Sequence, residues 1–214
     1  QRTDYALRLA DKHDAHLTAI YCTPPLNLPP HIEGMIPAAV LQMQEEAVQR
    51  SAGAAKSAFE AAARRAGRAA RTEWRNGTGD LLERMALDAR YADLAVVGQG
   101  DPDEPASGAP VDLPGALALA AGRPVLAVPY AGKFPTLGER VMVAWNAGRE
   151  AARAVNDALP ILQLAKSVTV LAVNPRGGEQ GHGEQPGADI ALHLARDGVR
   201  AEAMRAVSDE LDPG

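Results

Sequence analysis

Two stretches of this chain are versions of one another. Leu17-Thr18-Ala19-Ile20-Tyr21-Cys22-Thr23-Pro24 and Val168-Thr169-Val170-Leu171-Ala172-Val173-Asn174-Pro175 align without a gap. Thr18 stands over Thr169, Ile20 over Leu171, Cys22 over Val173 and Pro24 over Pro175. A helical pattern precedes each run. Further on, Arg71-Thr72-Glu73-Trp74-Arg75 resembles the stretch that opens Arg200-Ala201-Glu202-Ala203-Met204-Arg205. Repetition of a whole helix–strand unit at matching positions reads as duplication, so the chain is expected to hold two copies of one domain.

The first copy reads as helix (1–13), strand (16–22), long helix (38–67), strand (71–75), helix (79–90), strand (93–98), short helix (113–121) and strand (124–128). Strands alternating with helices predict a parallel sheet. Leu94-Ala95-Val96-Val97 and Val125-Leu126-Ala127-Val128 are short apolar runs bounded by glycine or proline, as strands of such a sheet are. On the long helix Leu41, Val48, Ala52, Ala55, Phe59, Ala62 and Ala66 form one apolar stripe. Glu45, Gln49, Lys56, Glu60 and Arg64 oppose it.

The second copy opens at Val141-Met142-Val143-Ala144-Trp145, an apolar run that predicts a buried parallel strand. Asn146-Ala147-Gly148 then supplies a turn, and Ala151, Ala154, Val155, Ala158, Leu159 and Leu162 recur at helical spacing. The first copy has no counterpart of this opening strand, and the second stops where the first continues into a helix and two more strands. Each copy lacks pieces the other has, so the expectation is a fragment with domains at 1–132 and 139–214. The break in pattern at Ala131–Gly138 would join them.

Composition narrows the function classes. Of 214 residues, 22 are basic and 27 acidic, a net charge of −5, and no run of Lys and Arg is long enough for a nucleic-acid footprint. The one cysteine, Cys22, cannot close an internal disulfide and fits a reducing compartment. No membrane span or signal-peptide core is present in the sequence, which points to a cytoplasmic protein.

Tyr91-Ala92-Asp93-Leu94-Ala95-Val96-Val97-Gly98, Gly122-Arg123-Pro124-Val125-Leu126-Ala127-Val128-Pro129 and Val143-Ala144-Trp145-Asn146-Ala147-Gly148-Arg149-Glu150-Ala151 together resemble the fourth-, fifth- and first-strand signatures of the universal stress proteins, in their tandem bacterial form. The resemblance implies two doubly wound α/β domains of the adenine nucleotide alpha hydrolase-like kind, with ATP or AMP at the strand ends in many members. It also implies pairing through the last strand, here Val125, Leu126, Ala127 and Val128, between domains or in a homodimer. Nucleotide-binding members resemble one another in a G-x2-G-x9-G-[ST] loop after the fourth strand. Opened at Gly98, this chain has Asp101, Val111 and Asp112 where that pattern wants glycine, glycine and Ser or Thr. Asp101, Asp103 and Glu104 would repel a polyphosphate, and Pro102 and Pro105 remove backbone donors. The first copy is therefore expected to bind no nucleotide. In the second, the resemblance places a ligand against Ala144, Trp145, Asn146, Val173 and Asn174. Asn146 stands where ATP-binding members usually carry Asp, and a helix cap competes with ligand contact as its role.

Other candidates read as structural. Asp11, His13, Asp14 and His16 straddle a helix-to-strand boundary and would diverge rather than converge on a metal. Thr78 or Asp80 suits a helix cap, Cys22 a small core residue, and the glycine-rich 177–184 a surface loop lacking the Lys-Ser/Thr of a phosphate loop. No nucleophile–base motif appears, so the expectation is a non-catalytic stress-response protein with a small-molecule ligand in its second domain. The alternative is a ligand-free scaffold acting through its dimer surfaces.

Overall fold

The computed structural model describes residues 1–23, 36–103, 112–175 and 187–208. The chain forms two compact units, Gln1–Gly132 and Lys133–Gly214. Both are α/β with parallel strands, and the α/β fold class expected above is borne out.

The first unit runs α1 (Arg2–Lys12), β1 (Leu17–Thr23), α2 (Ala38–Arg65), a 3-10 turn (Ala69–Arg71), β2 (Thr72–Thr78), α3 (Leu81–Ala89), β3 (Ala95–Gly98), α4 (Leu113–Ala121) and β4 (Val125–Val128). Asp80 starts α3 by accepting the Glu83 N–H at 2.9 Å, the capping that the sequence suggests. Gly122 ends α4 in the left-handed conformation (φ 66), which a residue without Cβ adopts freely, and Pro124 then bars helix continuation. In one cluster α1 and α2 meet through Leu7, Ala62 and Ala63, with Leu17 of β1 packed against them. In another, Ala86 and Ala89 of α3 and Leu117 and Ala121 of α4 close over Val97.

Its four described strands form two separate parallel pairs, β1–β2 and β3–β4. Because the backbone alternates sides along a parallel strand, one hydrogen bond orients the rest. The Thr23 carbonyl accepts from Gly79, so Leu17, Ala19, Tyr21 and Thr23 face β2, while Thr18, Ile20 and Cys22 turn their N–H and C=O to the other side. Ala95 and Gln99 donate to Pro124 and Val128, so Val96 and Gly98 turn theirs away from β4.

The second unit runs β5 (Arg140–Ala144), α5 (Arg149–Gln163), β6 (Ser167–Val173), α6 (Ala188–Arg196) and β7 (Ala201–Ala206), in the sheet order β5-β6-β7. Register is common to the two units: Leu17 pairs with Thr72 and Thr18 with Glu73, as Val168 pairs with Ala201 and Thr169 with Glu202. Val143, Val168 and Val170 meet Val155 and Leu162 of α5 and Ile190 and Leu194 of α6 in one core.

The elements expected from sequence appear with ends shifted by a few residues, but burial departs from the patterns in two places. On α2 only the last third is buried, at Phe59, Ala62 and Ala63; Leu41, Val48, Ala52 and Ala55 are half-covered and Ala66 is exposed. β5 is not a buried strand throughout. Val143 faces α5, whereas Met142 is 65% exposed, because its side of the sheet carries no helix among the described residues. No described helix is long and apolar enough to cross a membrane.

Leu194 is fully buried at the centre of the second unit's core. Leu194→Ala should destabilise that unit by about 2–5 kcal/mol through lost burial and a residual cavity. Denaturant unfolding followed by Trp145 fluorescence, in a Trp74→Phe background, measures it.

Candidate functional site

In open parallel sheets ligands settle beyond the carboxyl ends of the strands. In the second unit that edge is stepped. The last β5–β6 pair is Ala144 with Leu171, and β6 continues to Val173. Trp145 adds one further bond, donating to the Leu171 carbonyl at 2.9 Å. The alternate side of β6 bonds β7, where Asn174 donates to Ala206 at 2.9 Å. Val173 therefore points its N–H and C=O toward the β5 side, past the last paired residue of that strand.

The five residues that the sequence places at a ligand divide by role. Ala144 and Asn146 are exposed and Val173 is half-buried, all at the step, while the Trp145 ring packs on the core of α5 and α6. Asn146 is not the helix cap. Gly148 is the cap residue, and the Asn146 Oδ1 accepts its N–H at 2.9 Å, an Asx turn that aims the chain into α5. A Cβ on Gly148 would lie 2.8 Å from that oxygen, which is why the turn needs glycine there. Asn174 is tied down more firmly: its Nδ2 donates to the Ser208 carbonyl at 2.6 Å and its Oδ1 accepts the Ser208 N–H at 2.9 Å. Ser208 was not legible as part of this site, since it lies beyond β7 with no periodic signal. Both turns contain a non-glycine residue in the left-handed region, Ala147 at φ 58 and Asn174 at φ 45. Asn tolerates that conformation, but for Ala it is strain. Arg149 Nε and Glu150 Oε1 meet at 2.6 Å in the first turn of α5, and that hydrogen bond holds the Glu150 carboxyl below the usual carboxylate range.

The corresponding edge of the first unit is built differently. Arg2 lies against Gly98, its Nη1 3.1 Å from where a Cβ would stand, so a guanidinium occupies the space beside the glycine that ends β3. Asp101 folds onto its own loop, accepting the Asp103 N–H at 2.9 Å. Glu104, Pro105 and Val111 lie outside the described residues, as does the 177–184 loop. Cys22 is half-buried, its Sγ 3.5 Å from the Gly79 carbonyl it donates to, and burial pushes the thiol above its ordinary range.

The other candidates have structural partners. The Asp14 carboxylate takes Arg71 at 2.6 Å and Arg68 at 3.4 Å, and Asp11 lies 3.6 Å from Arg68. His16 leans toward Glu73 at 3.8 Å. Among the described residues no cluster of metal-ligating groups forms. A cleft of about 340 Å³ opens between α2 and β2, walled by Phe59, Ala63 and Trp74, but it sits on a helix flank rather than at the strand ends. Along β4, Val125 and Leu126 are half-buried, Ala127 exposed and Val128 buried.

No family model matches the chain, and no curated protein matches it. Among solved structures it is similar to a universal stress protein from Archaeoglobus fulgidus DSM 4304. The TM-score is 0.66 at 13% identity, covering 97% of this chain and 72% of that one. That likeness is one of fold.

Two outcomes test the local chemistry. Hydrogen bonding to Arg71, then to Arg68, lowers the Asp14 pKa below its ordinary value of 3.8. A depressed folded pKa stabilises above the unfolded value and is lost as pH falls through the folded one. Asp14→Asn should therefore lower stability near neutrality and flatten its fall below about pH 4, as read by denaturant midpoints across pH. Cys22, whose reactive form is the thiolate, should alkylate with iodoacetamide more slowly than free cysteine at pH 8. Mass spectrometry of a time course reads the rate.

Proposed function

We propose that the chain is a tandem protein of the universal stress kind, non-catalytic and cytoplasmic. Its second unit would take ATP, AMP or a related small ligand, and its first has lost that ability. The observation that carries this reading is the step between β5 and β6. It leaves the Val173 amide and carbonyl aimed over the end of β5, beside exposed Asn146. A planar base with a donor and an acceptor on one edge pairs with such a backbone group. The strain at Ala147, immediately after Asn146, sits where function would require it. The shared register of the two units supports the tandem reading. Arg2 against Gly98 supports the loss of binding in the first unit.

A second reading, a ligand-free scaffold, draws on a specific observation too. Both asparagine side chains at the step already bond their own backbone, Asn146 to Gly148 and Asn174 to Ser208. On this reading β4, an edge strand, is the contact surface through Val125, Leu126, Ala127 and Val128, in a homodimer or between domains.

Calorimetry with AMP and ATP separates the readings. Binding is expected, and Asn146→Ala should weaken it by about 1–3 kcal/mol where the amide bonds the ligand. Unchanged affinity would confine Asn146 to its turn, and no heat from either nucleotide at millimolar concentration would leave the scaffold.

A further inference from the structure

The cleft of about 340 Å³ between α2 and β2 lies within the first unit, beside the opening residues of β2. Such a volume suits a molecule of one or two rings. Its wall is aromatic and fixed in place. The Trp74 ring stacks on Tyr21 with centroids 5.9 Å apart and meets Phe59 at 5.7 Å, while its Nε1 donates to the Asn76 Oδ1 at 2.6 Å. Three contacts therefore hold the indole, yet it stays half-buried, and its remaining surface lines the cleft. The fold does not require a tryptophan there. By register Ala203 holds the same position in the second unit, opposite Val170 as Trp74 is opposite Ala19.

The two charged groups at the cleft are not equivalent. Glu60 already has two cations near it, Lys56 at 3.8 Å and Arg64 at 4.0 Å. Among the described residues Arg64 meets only that carboxylate, at a distance too long for a hydrogen bond, and its side chain is 64% exposed. The other side-chain donors of the lining are committed: Thr72 gives its hydroxyl proton to the Ala69 carbonyl at 3.1 Å, and Trp74 gives its N–H to Asn76. A guanidinium whose planar fork is not hydrogen-bonded can take a carboxylate through two parallel bonds. An amine would meet Glu60 with its charge already offset by Lys56 and Arg64.

We propose that this cleft binds a small aromatic carboxylate, its ring against Trp74 and Phe59 and its carboxylate on Arg64. The site goes beyond the nucleotide reading of the second unit, and neither depends on the other.

The probe is indole-3-acetate, titrated into the whole chain up to about 10 mM, because a ligand of this size reaches roughly millimolar affinity. The two tryptophan indole N–H resonances report on it, assigned by the loss of one in Trp74→Phe. That of Trp74 should shift saturably while that of Trp145 stays in place. Indole-3-acetamide has the same shape without the charge and should bind at least about threefold more weakly. Arg64→Gln, an exposed change that removes no hydrogen bond, should bring the acid down to the affinity of the amide and leave the amide unaffected. Absence of a saturable shift at Trp74, equal binding of acid and amide by the unaltered chain, or tighter binding of tryptamine than of the acid overturns the proposal. So does a shift at Trp145 alone, which would assign the ligand to the second unit.

Discussion

A parallel strand turns each successive residue's amide and carbonyl to opposite sides, so an interior strand is satisfied only by two neighbours. Much of this chain follows from where that condition is met. β6 has β5 and β7 on its two sides and contributes Val168, Val170 and Ala172 to the buried core. Among the described strands β1 pairs with β2, and all seven of its residues are half-covered. The strands correspond in sequence, and the buried face of β6 is closed by Val155 and Leu162 of α5 and Ile190 and Leu194 of α6.

The same condition explains what could be read in the sequence. The alignment of Leu17-Thr18 with Val168-Thr169 and of Thr72-Glu73 with Ala201-Glu202 appears again as pairing register in both units. Hydrophobic periodicity and turn chemistry marked the elements because they act locally. Burial was less legible. An apolar run such as Val141–Trp145 tells that a strand forms, but whether Met142 is covered depends on a helix over its face, which no local pattern encodes. The stripe on α2 departs similarly: periodicity is present from Leu41 onward, yet full burial among the described residues is reached at Phe59, Ala62 and Ala63.

At the stepped edge the sequence predicts which strand ends meet but not the bonds their residues make. Ala144, Asn146 and Val173 gather at one step because strand ends must, which sequence order suffices to predict. The partner of Asn174 could not be foreseen, because Ser208 reaches it only once β7 has paired with β6 and brought its end alongside. Asn146 bonding Gly148 rather than capping α5 by itself is likewise a matter of the cap lying two residues further on, with the left-handed Ala147 between them.

That displacement bears on how the second unit could hold a ligand at all. An asparagine in an Asx turn commits Oδ1 to the backbone but leaves Nδ2 as a donor, so Asn146 can offer a hydrogen bond outward without unmaking its turn. Asn174 commits both ends of its amide to Ser208 and has its role in fastening β6 to the segment after β7. The two amides are thus unequal: one shapes the floor of the step, the other can still contact what lies on it. An aspartate at position 146 could form the same turn but would present only acceptors and a negative charge to the ligand. The amide therefore favours a group that accepts a hydrogen bond, such as a ring nitrogen or carbonyl of a base, where a carboxylate would favour a hydroxyl.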